Sequence, residues 1–313
     1  MIKHGRESLV RIEGGKYVYK EPLPKRTLLQ KRDWLARQHN AAATVQKLLE
    51  IDNNAYGVPH VKTIDSKKFY VLEERVDGAP LTPMFFRTLD DKTREKIIDS
   101  LAQFYADMHS INIIPNPITY SMDYNLQRLV SLKDFIDSGM GKHLSKSDAK
   151  LIEKTYKDLM NASYETRLVF SHCDLCSANV LYDHKTQKIN IIDFTDAGTT
   201  FLHDDMINTY ARDLSVVNPV RARYLKYRDR YYLPTDFTDD ARWQKIVQYN
   251  NAMSVLEQMD EYLMDFQYLN LEERNGVLKL VKKQVNKLQV LGKIQHAQDL
   301  MNNQIPKLCQ NMR

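Results

Sequence analysis

The chain has 313 residues, 43% hydrophobic and 27% charged, with a net charge of +5, which suits a soluble globular protein with one large core or two lobes. Its 45 basic residues against 40 acidic ones permit an anionic ligand but make no nucleic-acid signature. No apolar run approaches the ~18 residues of a membrane span, Met1 to Gly5 lacks a leader-like apolar stretch, and three cysteines make no disulfide framework, so a cytoplasmic setting is expected.

In chain order, Leu9-Val-Arg-Ile12 alternates, Gly14-Gly15 signals a tight turn, and Tyr17-Val-Tyr-Lys20 is β-rich, which together predict a hairpin. Glu21-Pro22-Leu23-Pro24 should break the second strand. Apolar residues at helical spacing (Trp34, Leu35, Ala41, Val45, Leu48) predict a helix from Leu28 to Leu49. Val58 to Ile64 and Phe69 to Leu72 read as two further strands around the turn at Asp65-Ser66, and Asp77-Gly78 closes the second. Thr93 to Ser110 is an amphipathic helix, Ser147 to Met160 another, and the chain from Arg242 onward is almost wholly helical. Between these helices, Val180-Leu-Tyr182 and Ile189-Asn-Ile-Ile192 form a β-like pair around Asp183-His-Lys-Thr. The expectation is an α+β protein. A small antiparallel β lobe and one helix occupy residues 1–76, and a larger helical lobe occupies 77–313, with a ligand site at the connector near Glu73 to Gly78.

The residues best placed to carry chemistry are Asp174, Asn179 and Asp193. Each alone is an ordinary turn residue. Together they run His172-Cys-Asp174-x4-Asn179, then a strand pair, then Ile-Ile-Asp193-Phe194, an order that is hard to obtain by chance. Phosphoryl transfer needs a carboxylate to orient and deprotonate the attacking hydroxyl, and oxygen ligands that hold Mg2+ on the phosphates. The predicted strand from Ile189 to Ile192 would fix Asp193 at a rigid end. Lys20, ending a strand after a Gly-Gly turn, stands where kinases place the ammonium that grips the nucleotide phosphates.

Leu168-Val-Phe-Ser-His172-Cys-Asp174-Leu-Cys-Ser-Ala-Asn179-Val-Leu resembles the catalytic loop of the aminoglycoside phosphotransferase and choline kinase-like superfamily, small-molecule relatives of protein kinases. Ile191-Ile-Asp193-Phe is similar to that family's metal-binding segment, and Tyr70-Val-Leu-Glu-Glu-Arg-Val-Asp77-Gly78 to its hinge. The likeness covers roughly Gly5 to Tyr210. It implies a bilobal protein-kinase-like fold, ATP and Mg2+ as cofactors, Asp174 as base, and Asn179 with Asp193 as metal ligands. His172 and Asp205 would brace the loop, Glu74 and Val76 would meet the adenine through their backbones, and Gly5 to Ser8 would cover the phosphates. The acceptor would be a hydroxyl of a sugar, amino sugar or amino alcohol.

The likeness departs at one point. Kinases pair the strand lysine with a helix glutamate, but no glutamate precedes Glu50 in the predicted helix, which leaves Asp33, Glu50, Gln38, His39 or Asn40 as partners. That departure, with only one glycine in the Gly5 to Ser8 loop, keeps a nucleotide-binding pseudokinase as the alternative. A protein kinase fits poorly, because no Ala-Pro-Glu segment follows Asp193 before Asp205. Cys173 and Cys176 read as packing within the loop. Two features bear on the acceptor: an acidic helix face (Glu257, Asp260, Glu261, Asp265) suited to a cation, and the basic-aromatic run Arg221 to Tyr232, with Lys25-Arg26 and Lys31-Arg32, suited to an anionic core sugar of lipopolysaccharide. Either is also an ordinary charged surface. Membrane contact is expected only if the acceptor is a glycolipid.

Overall fold

The computed structural model describes residues 2–4, 8–51, 54–111, 118–119, 168–201 and 214–231, with scattered helical positions among 146–154, at 243 and among 272–289, including 282–287. Contacts divide the chain into two units, residues 1–120 with 167–238 and residues 121–166 with 239–313. Ser8, Lys20, Glu74, Val76, Asp174, Asn179 and Asp193 all lie in the first.

That unit opens with a five-stranded antiparallel sheet of β1 (Ile2–His4), β2 (Ser8–Glu13), β3 (Tyr17–Pro22), β5 (Val61–Asp65) and β6 (Tyr70–Glu74), in the order β1-β2-β3-β6-β5. Gly14 and Gly15, at φ 56° and 72°, make the β2–β3 turn that their pairing in the sequence predicts. The expected break at Glu21-Pro22 does not occur there. β3 runs on to Pro22, which pairs with Ser8 at the strand end, where a missing N–H is tolerated. Phe69, read as the start of a strand, sits instead at φ 55° in the β5–β6 turn, which Asp65 closes by accepting from the amides of Lys67 and Lys68.

Helix α1 (Leu28–Glu50) starts at a reciprocal cap: Thr27 Oγ1 accepts from Gln30 N, and Gln30 Oε1 accepts from Thr27 N. Its apolar stripe places Trp34 and Leu35 on Val71, with Val61, Ile64 and Phe69 around them. Substituting a side chain as enclosed as Trp34, only 1% exposed, by alanine costs about 3–5 kcal/mol.

After the sheet come α2 (Pro83–Thr88), capped by Thr82, and α3 (Asp91–Ser110), capped by Asp90. Two small sheets follow. One has the order β4-β11-β10-β7, from β4 (Tyr56–Gly57), β7 (Ala79–Pro80), β10 (Val180–Asp183) and β11 (Lys188–Ile191). The other has the order β8-β12-β9, from β8 (Ile118–Thr119), β9 (Leu168–Ser171) and β12 (Gly198–Phe201). β10 and β11 are the strand pair expected from the sequence. The two-residue strands β4, β7 and β8 and the six-residue α2 are too short for periodicity to reveal.

Helix α4 (Leu214–Tyr231) lies against α3. Three side chains of the basic-aromatic run are therefore occupied within this unit. Arg223 pairs with Glu95 and Asp99, the Tyr227 hydroxyl donates to Asp99, and Tyr224 is fully buried against His109. The acidic face from Glu257 to Asp265 and the brace at Asp205 lie outside the described residues, as does most of the helix expected at Ser147 to Met160.

Candidate active site

The loop between β9 and β10 and the segment after β11 are tied together by one buried imidazole. His172 Nε2–H donates to Ile192 O at 3.0 Å, while its Nδ1 accepts from Asp174 N at 3.3 Å, which sets the tautomer. Burial pushes this histidine down to about 4, so the ring is neutral near pH 7 and keeps both bonds. Phe194 packs on it at 4.7 Å between ring centroids, with Phe104 beyond.

Asp174 is exposed at the loop tip, and Asn179 holds it. The Asn179 amide donates to Asp174 O at 2.8 Å and to Asp174 Oδ2 at 3.0 Å. Because the nitrogen is used in this way, the amide oxygen of Asn179 is the atom left for a cation. Asn179 is itself fixed by its backbone, donating to Cys176 O and accepting from Ile192 N.

Asp193 follows β11 at φ 63°, ψ 64°, a left-handed conformation that costs a non-glycine residue about 1–2 kcal/mol. Cys173, next to Asp174, is at φ 62°. Strained backbone at both ends of one constellation is characteristic of functional sites. Asp193 Oδ1 accepts from Thr195 Oγ1 at 2.8 Å and lies 3.7 Å from Lys20 Nζ. The Lys20 ammonium holds its carboxyl below the usual range, so it is ionised at neutral pH.

Lys20 is buried on β3, where burial alone would lower its pKa. Glu73 and Asp193 outweigh that and raise it, so it stays charged. Its nearest carboxylate is Glu73 Oε1 at 2.9 Å. Lys20 pairs across the sheet with Val71, and Glu73 lies two residues further along β6 on the same face. The signal for Glu73 was present in the sequence as alternation, since Val71 and Glu73 are the buried positions of β6. None of the helix positions considered as partners for Lys20 forms this pair. Gln38 Nε2 donates to Thr195 Oγ1, Asn40 Nδ2 donates to Ala197 O, Asp33 pairs with Arg37, and Glu50 with Lys47.

Ser8 lies at the start of β2, and residues 5–7 before it fall outside the described part. Glu74 ends β6, where its amide donates to His60 O and its carboxylate pairs with Lys62 at 2.7 Å, and Val76 follows after Arg75. Among the described residues no three His, Cys, Asp or Glu side chains gather as a metal cluster. An ion held by Asn179 and Asp193 would thus draw further ligands from phosphate and water, the habit of Mg2+.

Lys20, Glu73, Asp174, Asn179 and Asp193 therefore form one connected polar constellation. The phosphotransferase enzyme family matches the chain over residues 2–245, a span that contains all five. The chain belongs to that family. Among curated relatives, an aminoglycoside 3'-phosphotransferase from Acinetobacter baumannii is 27% identical over 157 residues, or 47% of this chain and 56% of the relative, so the match spans about half of each. Among solved structures, ADP-bound aminoglycoside phosphotransferase APH(2'')-Ib superposes with a TM-score of 0.64 at 16% identity, over 91% of this chain and 92% of that one. A choline/ethanolamine kinase family protein from Mesorhizobium loti gives 0.62 at 14% identity, over 93% and 87%. The fold is the protein-kinase-like fold of these phosphotransferases. No helix among the described residues is long and apolar enough to cross a membrane.

Proposed function

We propose that this member of the phosphotransferase family moves the γ-phosphate of ATP, with Mg2+, to a hydroxyl of a small molecule. The observation that carries the reading is the bonded chain from Asp174 through Asn179 and Ile192 to Asp193 and Lys20. Asp174, open to solvent and oriented by Asn179, takes the proton of the attacking hydroxyl. Asn179 and Asp193 would hold Mg2+, which neutralises charge on the phosphates when bound. Lys20 binds the phosphates, and the backbones of Glu74 and Val76, with Ser8 at the head of β2, frame the nucleotide.

The acceptor is a sugar, an amino sugar of the aminoglycoside kind, or an amino alcohol of the choline and ethanolamine kind, the last two being classes named for similar proteins. An anionic core sugar draws less support, because Arg223, Tyr224 and Tyr227 are engaged with α3. The pseudokinase reading rested in part on a missing helix glutamate, and Glu73 is paired with Lys20. Cys173 and Cys176, both within the loop and not joined in a disulfide, favour a reducing compartment such as the cytoplasm. The test is phosphate transfer from labelled ATP to a panel of aminoglycosides, choline, ethanolamine, hexoses and heptoses. Transfer to one class is expected, and nucleotide binding with no transfer to any would overturn the proposal in favour of a binding module.

A further inference from the structure

We infer that Glu73 is the positioning residue for Lys20, supplied by the sheet in place of a helix carboxylate, and that it keeps the ammonium on the nucleotide phosphates rather than on Asp193. This rests on the reading of Lys20 as a phosphate ligand.

Lys20 and Glu73 are 9% and 8% exposed, and they meet at 2.9 Å across adjacent strands of one sheet. The Lys20 ammonium has a second anionic neighbour, Asp193, at 3.7 Å. Without Glu73 the buried cation would be left to that carboxylate alone, and a buried charge closes on whatever counter-charge remains. Closure would tie up an oxygen that the metal ion needs. Glu73 holds Lys20 at the shorter distance and leaves Asp193 oriented by Thr195. Meanwhile α1 spends its inward polar groups on the segment after Asp193, through Arg37 to Asp196, Gln38 to Thr195 and Asn40 to Ala197. The lysine is thus set by the sheet, and its position does not depend on the orientation of α1.

The experiment is calorimetric titration of the full chain with ADP and, separately, with adenosine, in wild type, Glu73→Gln, Lys20→Met and the double variant. Glu73→Gln should weaken ADP by ~10-fold or more, as expected for an ammonium that has lost its buried partner, and leave adenosine unchanged. In the Lys20→Met background it should cost nothing further. Equal weakening of ADP and adenosine would mean a distorted base pocket and would overturn the inference. Normal ADP affinity in Glu73→Gln, with weak affinity in Lys20→Met, would overturn it while leaving the reading of Lys20 intact. Normal affinity in Lys20→Met would overturn both. Should Glu73→Gln not fold, Glu73→Asp retains the buried charge but withdraws the carboxylate by one methylene, and the same loss for ADP alone is expected.

Discussion

Lowering the pH from 7 to 5 should destabilise this protein through two histidines that serve as neutral struts of the site. His172 and His109 are both enclosed, and burial pushes them down to about 4 and about 3 from the ordinary 6.5. A histidine whose folded value lies below its unfolded value takes up its proton first in the unfolded chain, so stability is lost as the pH falls below 6.5 and continues to fall until the folded value is reached. At pH 5 each unfolded imidazole is almost fully protonated while its folded counterpart is not, which costs about 2 kcal/mol per histidine and about 4 kcal/mol for the pair. Asp193, a carboxylate held below its usual range, loses its contribution only at more acid pH, so this window isolates the histidines. Urea unfolding at intervals from pH 7 to 5 measures the slope. His172→Gln, though less stable at every pH, should flatten the slope by about one proton. A slope unchanged by that substitution would refute the claim that His172 is buried and neutral in the folded loop.

Thr195→Val removes the hydroxyl that accepts from Gln38 and donates to Asp193. Freed from this partner, Asp193 should bind the metal ion less well, and the Mg2+ concentration for half-maximal turnover should rise about 10-fold. An unchanged Mg2+ dependence would contradict that role. Gly78 has φ 145°, and a Cβ there would lie 2.8 Å from Leu181 Cβ and 3.1 Å from the Tyr182 carbonyl group. Gly78→Ala should therefore cost about 1–3 kcal/mol in urea unfolding, and a loss near zero would show that the connector relaxes freely.

What could be read from the sequence follows how local each feature is. The order His172, Asp174, Asn179 and Asp193 is contained in one loop and one strand pair, so spacing alone identified it and the structure brings the four together. Helices α1 and α3 were legible because their apolar stripes extend over several turns. The Lys20–Glu73 pair was not, because it depends on the register of two strands joined through α1 and β5. Helix residues were considered as partners, although the alternation of β6 placed Glu73 inward. Part of the Arg221 to Tyr232 run is packed rather than open, for a related reason. Arg and Tyr look like a recognition surface in sequence, while Arg221 and Tyr224 are buried and Arg223 and Tyr227 bond to α3.

The measurement that bears most directly on the central claim compares wild type with Asp174→Asn in two assays, transfer of labelled γ-phosphate to the best acceptor and calorimetric binding of Mg-ATP. Loss of the proposed base, which is exposed at the loop tip and held there by Asn179, should lower turnover by ~10²–10⁴-fold while ATP affinity changes little. Turnover at the wild-type rate in Asp174→Asn would contradict the assignment of this loop as the phosphoryl-transfer centre.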